Sequence, residues 1–358
     1  MSPKTPRGFR HIPEEVIERV KRLPGGGSGC KLWVARVNGW TCCLKEIPID
    51  GIAKLETEEF EKEVNVLSTL SKPTRKIPTH LVRFLGCQRT EESLQLFMSL
   101  YEGNLNQVLC NLKGLKIPKF LEETRLARYV TQLLKGLNIL HHRNIIHRDI
   151  KSPNIFYTAL ERWDGTPRID SPRNGLLPES LVLGDFGEAK ILHQYSKAKT
   201  CRGTPSWIAP EVLDAAMDDN LEYTLAADIW SMGMVVYEMM TLTQPYSDVI
   251  ALRVMYCVQE GILPTLTDDF YRWYPRVSRV WHRMLKRNPD ERPKVGELLK
   301  IFQDIAANPI PFDDPPSQRA MFEEEDDDEW ESSDVEEEST ASEQDSSSEP
   351  NFFDSYRK

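Results

Sequence analysis

The chain has 358 residues, 40 % apolar and 9 % aromatic, enough to bury a core of ordinary size, which excludes a peptide hormone, a fully disordered chain and a stapled miniprotein. Its formal charge of −10 is unevenly spread: residues 321–358 hold 16 Asp or Glu against 2 Lys or Arg, leaving 39 acidic and 43 basic residues in the first 320. A slightly basic body therefore carries a strongly acidic end, and the absence of a basic stripe argues against a nucleic-acid partner.

At the N-terminus, MSPKTPRGFRHIPEE has no apolar run of the kind a secretory signal needs, and Ser2 stands where myristoylation needs glycine. The most apolar stretch, Ile229 to Met240, is short and interrupted by Glu238, so no membrane partner is expected. Seven cysteines (Cys30, Cys42, Cys43, Cys87, Cys110, Cys201 and Cys257) are scattered and contain no CxxC pair, which indicates neither a zinc site nor a disulfide framework. A reducing compartment, by default the cytoplasm, is the expected location.

From about Glu14 to Leu100 the residues read as short strands broken by one helix. Trp33 to Val37 and Trp40 to Leu44 are strand-length runs joined by Asn38-Gly39, a pair that favours a tight hairpin turn. Glu58 to Leu70 places Phe60, Val64, Leu67 and Leu70 at helical spacing, and Leu81 to Leu85 and Leu94 to Leu100 predict two more strands. Beyond Tyr101 the character turns helical. Glu123 to His141 carries an apolar face of Leu126, Val130, Leu133, Leu134, Leu137 and Leu140, and further helices are predicted at 226–241, 248–259, 276–286 and 295–306. Pro309, Pro311, Pro315 and Pro316 close the folded part, and the acidic run after Phe322 is self-repelling and low in complexity.

Several segments carry chemistry. Gly25-Gly26-Gly27-Ser28-Gly29-Cys30-Lys31-Leu32 lies between two strands, where glycines let backbone amides approach a phosphate; a flexible turn explains it equally well. Lys45 follows thirteen residues after Leu32, at the end of the next strand, and Glu63 lies on the inner face of the Glu58 to Leu70 helix. A lysine oriented by a carboxylate can reach a polyphosphate, although a surface lysine and a solvated acid are the plainer reading of these two alone. His147-Arg148-Asp149-Ile150-Lys151-Ser152-Pro153-Asn154, then Gly184-Asp185-Phe186-Gly187, then Ala209-Pro210-Glu211 complete the series. Phosphoryl transfer needs a carboxylate at the acceptor hydroxyl, a cation on the transferred phosphate and oxygen ligands for magnesium, which Asp149, Lys151, Asn154 and Asp185 supply as a set.

In this order the segments resemble the signature set of the eukaryotic protein kinases, and the matches run from Gly25 to Arg292. The resemblance implies an α+β, two-lobed fold: an N-terminal extension over 1–12, a β-rich lobe with one helix over 13–98, a hinge over 99–103 and a helical lobe over 104–306. A linker and acidic tail over 307–358 would follow. It implies ATP and Mg2+ as cofactors, with Asp149 as catalytic base bracketed by Lys151 and Thr204. Asn154 and Asp185 would hold magnesium, Lys45 would contact the phosphates and pair with Glu63, and Gly25, Gly26, Gly27, Ser28 and Gly29 would cover the nucleotide. Leu32, Cys43 and Phe156 would sandwich the adenine, with Met98 as gatekeeper and Ser99, Leu100 and Tyr101 in the hinge. Lys151 and the GTPSWIAPE segment resemble serine/threonine rather than tyrosine kinases, closest to the tyrosine-kinase-like branch.

Further expectations follow from the same resemblance. Arg148 beside Asp149 suggests control by phosphorylation of Thr200 or Ser196, by an upstream kinase or by a second copy acting in trans. Asp228 would brace the backbone at His147–Asp149, and Arg292 would pair with Glu211. The chain departs from the family pattern at Cys30, which replaces the third glycine and is either an inert small residue or a reactive thiol. A second departure is a Pro-, Gly- and charge-rich insert over 157–179, read as a surface extension that is either inert or a docking loop. The acidic tail is a solubilising end, a restraint on the basic body or a contact for a basic partner, and Ser333, Thr340 and Ser342 resemble sites for acidophilic kinases. The function implied is a serine/threonine kinase acting on protein substrates; the alternative is a pseudokinase serving as scaffold or nucleotide switch.

Overall fold

A computed structural model describes residues 12–24, 30–48, 63–70, 80–114, 122–158, 180–192, 204–217 and 223–310. The chain divides after Phe312, and all described residues lie in the first unit, Met1–Phe312. The glycine run 25–29, Ser196, Thr200, the insert from 159 to 179 and the acidic tail fall outside the described residues.

Five antiparallel strands form the first sheet: β1 (Ile17–Leu23), β2 (Lys31–Val37), β3 (Trp40–Pro48), β4 (Phe84–Arg89) and β5 (Ser93–Met98), in the order β1-β2-β3-β5-β4. The β2–β3 turn sits at Asn38-Gly39, with φ of 49° and 80°. Two consecutive left-handed residues give a turn whose twist matches the flanking strands, which is why an Asn-Gly pair occupies it. Alternation along β3 then decides what faces the site. Cys42 and Leu44 point into a small apolar cluster with Ala35, Val37 and Phe97, while Cys43 and Lys45 point the other way. Lys45 lies inside β3 rather than at its end, since the strand runs on to Pro48.

Glu46, on the face opposite Lys45, fixes β3 to its neighbours. Its carboxylate accepts from Arg19 at 2.6 Å, Trp33 Nε1 at 3.1 Å and both Ser93 and Gln95 at 3.3 Å. Burial works against the charge, but Arg19 and the other donors outweigh it and hold the carboxyl below its ordinary range.

Helix α1, described over 63–70, packs Val66, Leu67 and Leu70 into the main core. The strand expected over Leu81–Leu85 begins only at Phe84. Its first residues are used elsewhere: Leu81 bridges Leu183, Val82 N donates to Leu183 O at 2.7 Å, and His80, at φ 68°, turns the chain to allow it.

The second lobe contains β6 (Gly103–Asn104), α2 (Leu105–Gly114), α3 (Glu123–His141), β7 (Ile145–Ile146), β8 (Ile155–Thr158), β9 (Ser180–Leu183) and β10 (Lys190–Ile191). It continues with α4 (Pro210–Met217), α5 (Ala226–Thr241), α6 (Ala251–Gln259), α7 (Asp268–Trp273), α8 (Pro275–Met284) and α9 (Val295–Ala307). Helices α3, α5 and α9 match their predicted spans within a residue; α6 starts three residues later than expected. Helices α2, α4 and α7, of ten, eight and six residues, were not predicted. The insert also begins later than expected. Tyr157 and Thr158 still pair with Leu181 and Ser180, so β8 and β9 form a hairpin stem.

Helix α5 is buried on every side, as its nearly unbroken apolar sequence requires, yet it carries two buried carboxylates with opposite fates. Asp228 accepts from His147 N at 2.9 Å, Arg148 N at 3.0 Å and His141 Nε2 at 2.9 Å. Burial opposes its charge, but the His141 bond and the adjoining histidines prevail, and its pKa is lowered. Glu238 has neutral donors instead, Ser152 Oγ at 2.6 Å, Trp207 Nε1 at 2.8 Å and the Ser152 backbone. There burial prevails and pushes the carboxyl up to about 7.

A raised carboxyl pKa stabilises the fold fully below its unfolded value of 4.5, and that contribution is lost as pH rises through about 7. Glu238→Gln, which keeps a neutral amide in place of the protonated acid, is expected to remove the slope. The stability of the wild type relative to this variant should fall by ~3 kcal/mol between pH 4.5 and 8, measured by urea unfolding at several pH values.

Candidate active site

A cavity of about 280 Å3 lies between the sheet and the helical lobe. Leu32, Cys43, Met98, Ser99, Leu100 and Phe156 all line it, so the six positions expected around an adenine are brought together. Sequence reasoning missed Val82 and Gln107 on the same wall and gave Tyr101 only a hinge role; Tyr101 stacks on Phe156 with ring centres 5.9 Å apart. The Tyr101 hydroxyl accepts from Arg83 N at 3.2 Å, which fixes the ring. The cavity is thus a flat apolar slot closed at one end by charge.

That end is built by β3, α1 and the segment after β9. Lys45 Nζ donates to Glu63 Oε2 at 2.7 Å and lies 3.9 Å from Asp185 Oδ1. Glu63 is only 3 % exposed, on the face of α1 that carries Val66 and Leu67. Burial opposes the Lys45 ammonium, but Glu63 and then Asp185 more than compensate, so its pKa rises and the lysine stays charged. The surface-lysine reading is excluded by this burial. Asp185 itself is left-handed, φ 58°, and exposed toward the cavity.

A second cluster sits on the loop between β7 and β8. The Asp149 carboxylate receives Lys151 Nζ at 2.8 Å, Asn154 Nδ2 at 2.8 Å and Thr204 Oγ1 at 3.1 Å, while Lys151 Nζ also donates to Thr204 Oγ1 at 2.7 Å. Thr204 arrives from 55 residues downstream to join this set. Asn154 spends its amide nitrogen on Asp149, so its oxygen is the atom it has to offer a cation. Gly184 N donates to Asn154 O at 3.0 Å, which ties Asp185 and Asn154 to one frame.

The family model for the protein kinase domain matches residues 18–302. The chain belongs to the protein kinase family. Among similar proteins are the kinase and exchange factor for Rac B of Dictyostelium discoideum, 29 % identical over 298 residues, 82 % of this chain and 24 % of that protein. Mitogen-activated protein kinase kinase kinase 1 of Arabidopsis thaliana is 32 % identical over 244 residues, 68 % of this chain and 34 % of its own length. Human serine/threonine-protein kinase 10 is 27 % identical over 300 residues, 82 % of this chain and 28 % of its own. The chain therefore spans about a quarter to a third of the length of these relatives.

Other features of the kinase domain follow. Arg292, fully buried at its side chain, makes a two-pronged pair with Glu211 at 2.6 and 2.7 Å and lies 5.2 Å from the centre of the Trp230 ring. Burial pushes the Cys30 thiol up, against the weaker opposite pull of Lys45, which is the direction of the inert reading rather than of a reactive thiolate. His141, third partner of Asp228, gave no sequence signal beyond ending an amphipathic helix.

Magnesium, in this family, accompanies the nucleotide, and the residues present fit it. It takes oxygen ligands from one or two protein groups plus substrate phosphates. Asp185 and the Asn154 oxygen supply that number, and among the described residues no group of three or more His, Cys, Asp or Glu could hold a metal alone. Counted as ionised, Lys45, Lys151, Glu63, Asp149 and Asp185 sum to one negative charge, so a polyphosphate is opposed unless cations come with it.

A side chain added at Gly184 would overlap the Val82 methyl and come 2.7 Å from the Phe156 ring, so a bare backbone there lets both residues close the slot. Gly184→Ala is expected to cost about 1–3 kcal/mol of stability and to weaken nucleotide binding by displacing both walls. Thermal unfolding and ATP titration calorimetry on the same preparation check the two effects.

Proposed function

We propose that the chain is an ATP- and Mg2+-dependent kinase that phosphorylates serine or threonine hydroxyls of protein substrates. One observation carries the reading: the Thr204 hydroxyl donates to Asp149 Oδ1 at 3.1 Å while Lys151 touches both, so an alkyl hydroxyl already occupies the kind of position an acceptor would take. The names of two relatives, the mitogen-activated protein kinase kinase kinase and serine/threonine-protein kinase 10, support the acceptor class.

In this mechanism Asp149 accepts the acceptor's proton, and Lys151, held against it, stabilises negative charge on the moving phosphoryl group. Lys45, oriented by Glu63, contacts the phosphates at the other side, and the apolar slot from Leu32 to Phe156 positions the adenine ring. Asp185 and Asn154 would hold magnesium, which when bound neutralises charge on the phosphate oxygens.

Regulation belongs to the same proposal. Arg148 sits at φ 70° with its guanidinium on Glu188 O and within 3.5 Å of the Tyr223 hydroxyl, and Ser196 and Thr200 follow Glu188 by 8 and 12 positions in the sequence. Phosphorylation of Thr200, by an upstream kinase or a second copy, would add a dianion that this arginine can pair. Free thiols at all six described cysteines support the cytoplasm as the location.

The test compares wild type with Asp149→Asn on labelled ATP, magnesium and a generic basic protein. The wild type should transfer phosphate at least about a thousandfold faster than the variant, and equal signals would replace the enzyme by the scaffold reading. Thr200→Ala should lower the rate on a peptide substrate about tenfold or more if that residue carries the activating phosphate, and an unchanged rate would remove it from the proposal.

A further inference from the structure

Glu238 has no part in the site as described, yet it is 2 % exposed and touches both of the segments that build it. From the middle of the 151–154 loop, Ser152 Oγ donates to Glu238 Oε1 at 2.6 Å. From the segment after Thr204, Trp207 Nε1 donates to Glu238 Oε2 at 2.8 Å. Both donors are themselves buried, Ser152 at 0 % and Trp207 at 4 % exposure. Each is also tied closely to the reacting groups. Ser152 follows Lys151, whose backbone oxygen accepts from Asn154 N at 3.0 Å, and Trp207 N donates to Thr204 O at 2.9 Å. A second bond from α5, Ser231 Oγ to Trp207 O at 2.8 Å, holds the same tryptophan from the other side.

These contacts close a ring: Glu238 to Ser152, along the chain to Lys151, from Lys151 Nζ to Thr204 Oγ1 at 2.7 Å, along the chain to Trp207, and back to Glu238. Asp149 is bonded to two members of that ring, Lys151 and Thr204. The two halves of the ring are 50 residues or more apart in sequence, and among the described residues they meet at the Thr204 hydroxyl, which bonds both Lys151 and Asp149, and at the Glu238 carboxylate. The first is the place an acceptor must enter. During a reaction the geometry must therefore be kept by the second.

We propose that Glu238 is a positioning residue of the active site, a two-ended carboxylate that holds the Ser152 loop and the Trp207 segment at a fixed separation so that Asp149, Lys151 and Thr204 stay aligned while an acceptor hydroxyl is in place. The proposal rests on the phosphotransfer reading above. A carboxyl group suits the task because it offers one oxygen to each partner: ionised, it accepts from both, and protonated, it accepts from Trp207 while its O–H donates to Ser152, whereas a hydroxyl would bridge with a single atom. A displacement of about 1 Å in such an alignment costs on the order of a hundredfold in rate, so the bridge is worth far more to catalysis than to binding.

Ser152→Ala and Trp207→Phe each remove one side-chain donor, the first with little change of volume and the second with a smaller ring whose effect on folding is checked separately, and neither side chain lies on the nucleotide cavity. We expect each to lower kcat about tenfold, with KM for ATP within about twofold of wild type, at a temperature where circular dichroism shows every variant folded. Because both act through one bridge, the double variant should be no slower than the slower single. Glu238→Gln, whose amide can still accept from Trp207 and donate to Ser152, should keep kcat within about threefold. Singles within twofold of wild type, or a double variant slowed by the product of the two, would overturn the bridge. Loss of activity in Glu238→Gln equal to that of the singles would overturn it too. Failure of the underlying reading is separate: the wild type itself would then show no transfer above the Asp149→Asn background.

Discussion

The structure depends on one carboxylate that water never reaches. Asp228 is wholly buried, and three donors, two of them consecutive backbone amides at His147 and Arg148, meet its two oxygens. In a low-dielectric interior such bonds are strong and their loss leaves a bare charge, so the backbone path through these residues is dictated by α5. That dictation has a visible strain: Arg148 lies at φ 70°, a region a non-glycine residue enters only when its surroundings over-determine it. The turn forced there aims Asp149 back toward Lys151 and Asn154. Without the anchor below, the cluster above would have no reason to assemble.

Electrostatic pairing then separates structural charge from working charge. Glu46 and Glu63 are neighbours of Lys45 in sequence and in space respectively, and they do different things. The first, pinned by Arg19, Trp33, Ser93 and Gln95, spends its charge on holding β1, β2, β3 and β5 in register. The second spends its charge on a single ammonium and keeps it ionised in a cavity that would otherwise discharge it. Arg292 with Glu211 repeats the first pattern in the other lobe, its guanidinium filled by carboxylate, carbonyls and the Trp230 face.

What could be read in the residues beforehand divides along the same line. The charged set Lys45, Glu63, Asp149, Lys151, Asn154 and Asp185 was legible because phosphoryl chemistry admits few substitutes for each, and their order along the chain is itself informative. Helices α3, α5 and α9 were legible because each is long enough to show a burial pattern. The partners that position these groups were not. His141, Ser152, Trp207 and Glu238 are ordinary residue types whose contacts span from 31 to 87 positions, and nothing local distinguishes a serine that holds a catalytic loop from one that caps a turn. The same holds for the strand that starts at Phe84 instead of Leu81: its lost residues pair with a segment a hundred positions away.

The β8–β9 stem has a consequence for how this domain tolerates change. Thr158 and Ser180 face each other across a register that runs without a break to Ile155 and Leu183, one residue from Asn154 on one side and two from Asp185 on the other. The two expected cation ligands are thus distant along the covalent chain but are joined through a four-rung ladder in space. Whatever is spliced between Thr158 and Ser180 must close a loop, an entropic demand that grows only logarithmically with length, and it cannot pull on either ligand without first unzipping the ladder. Chain length at that point is decoupled from chemistry, which makes the tip of this hairpin a port where a kinase of this kind can acquire a new segment while its catalytic geometry is left intact.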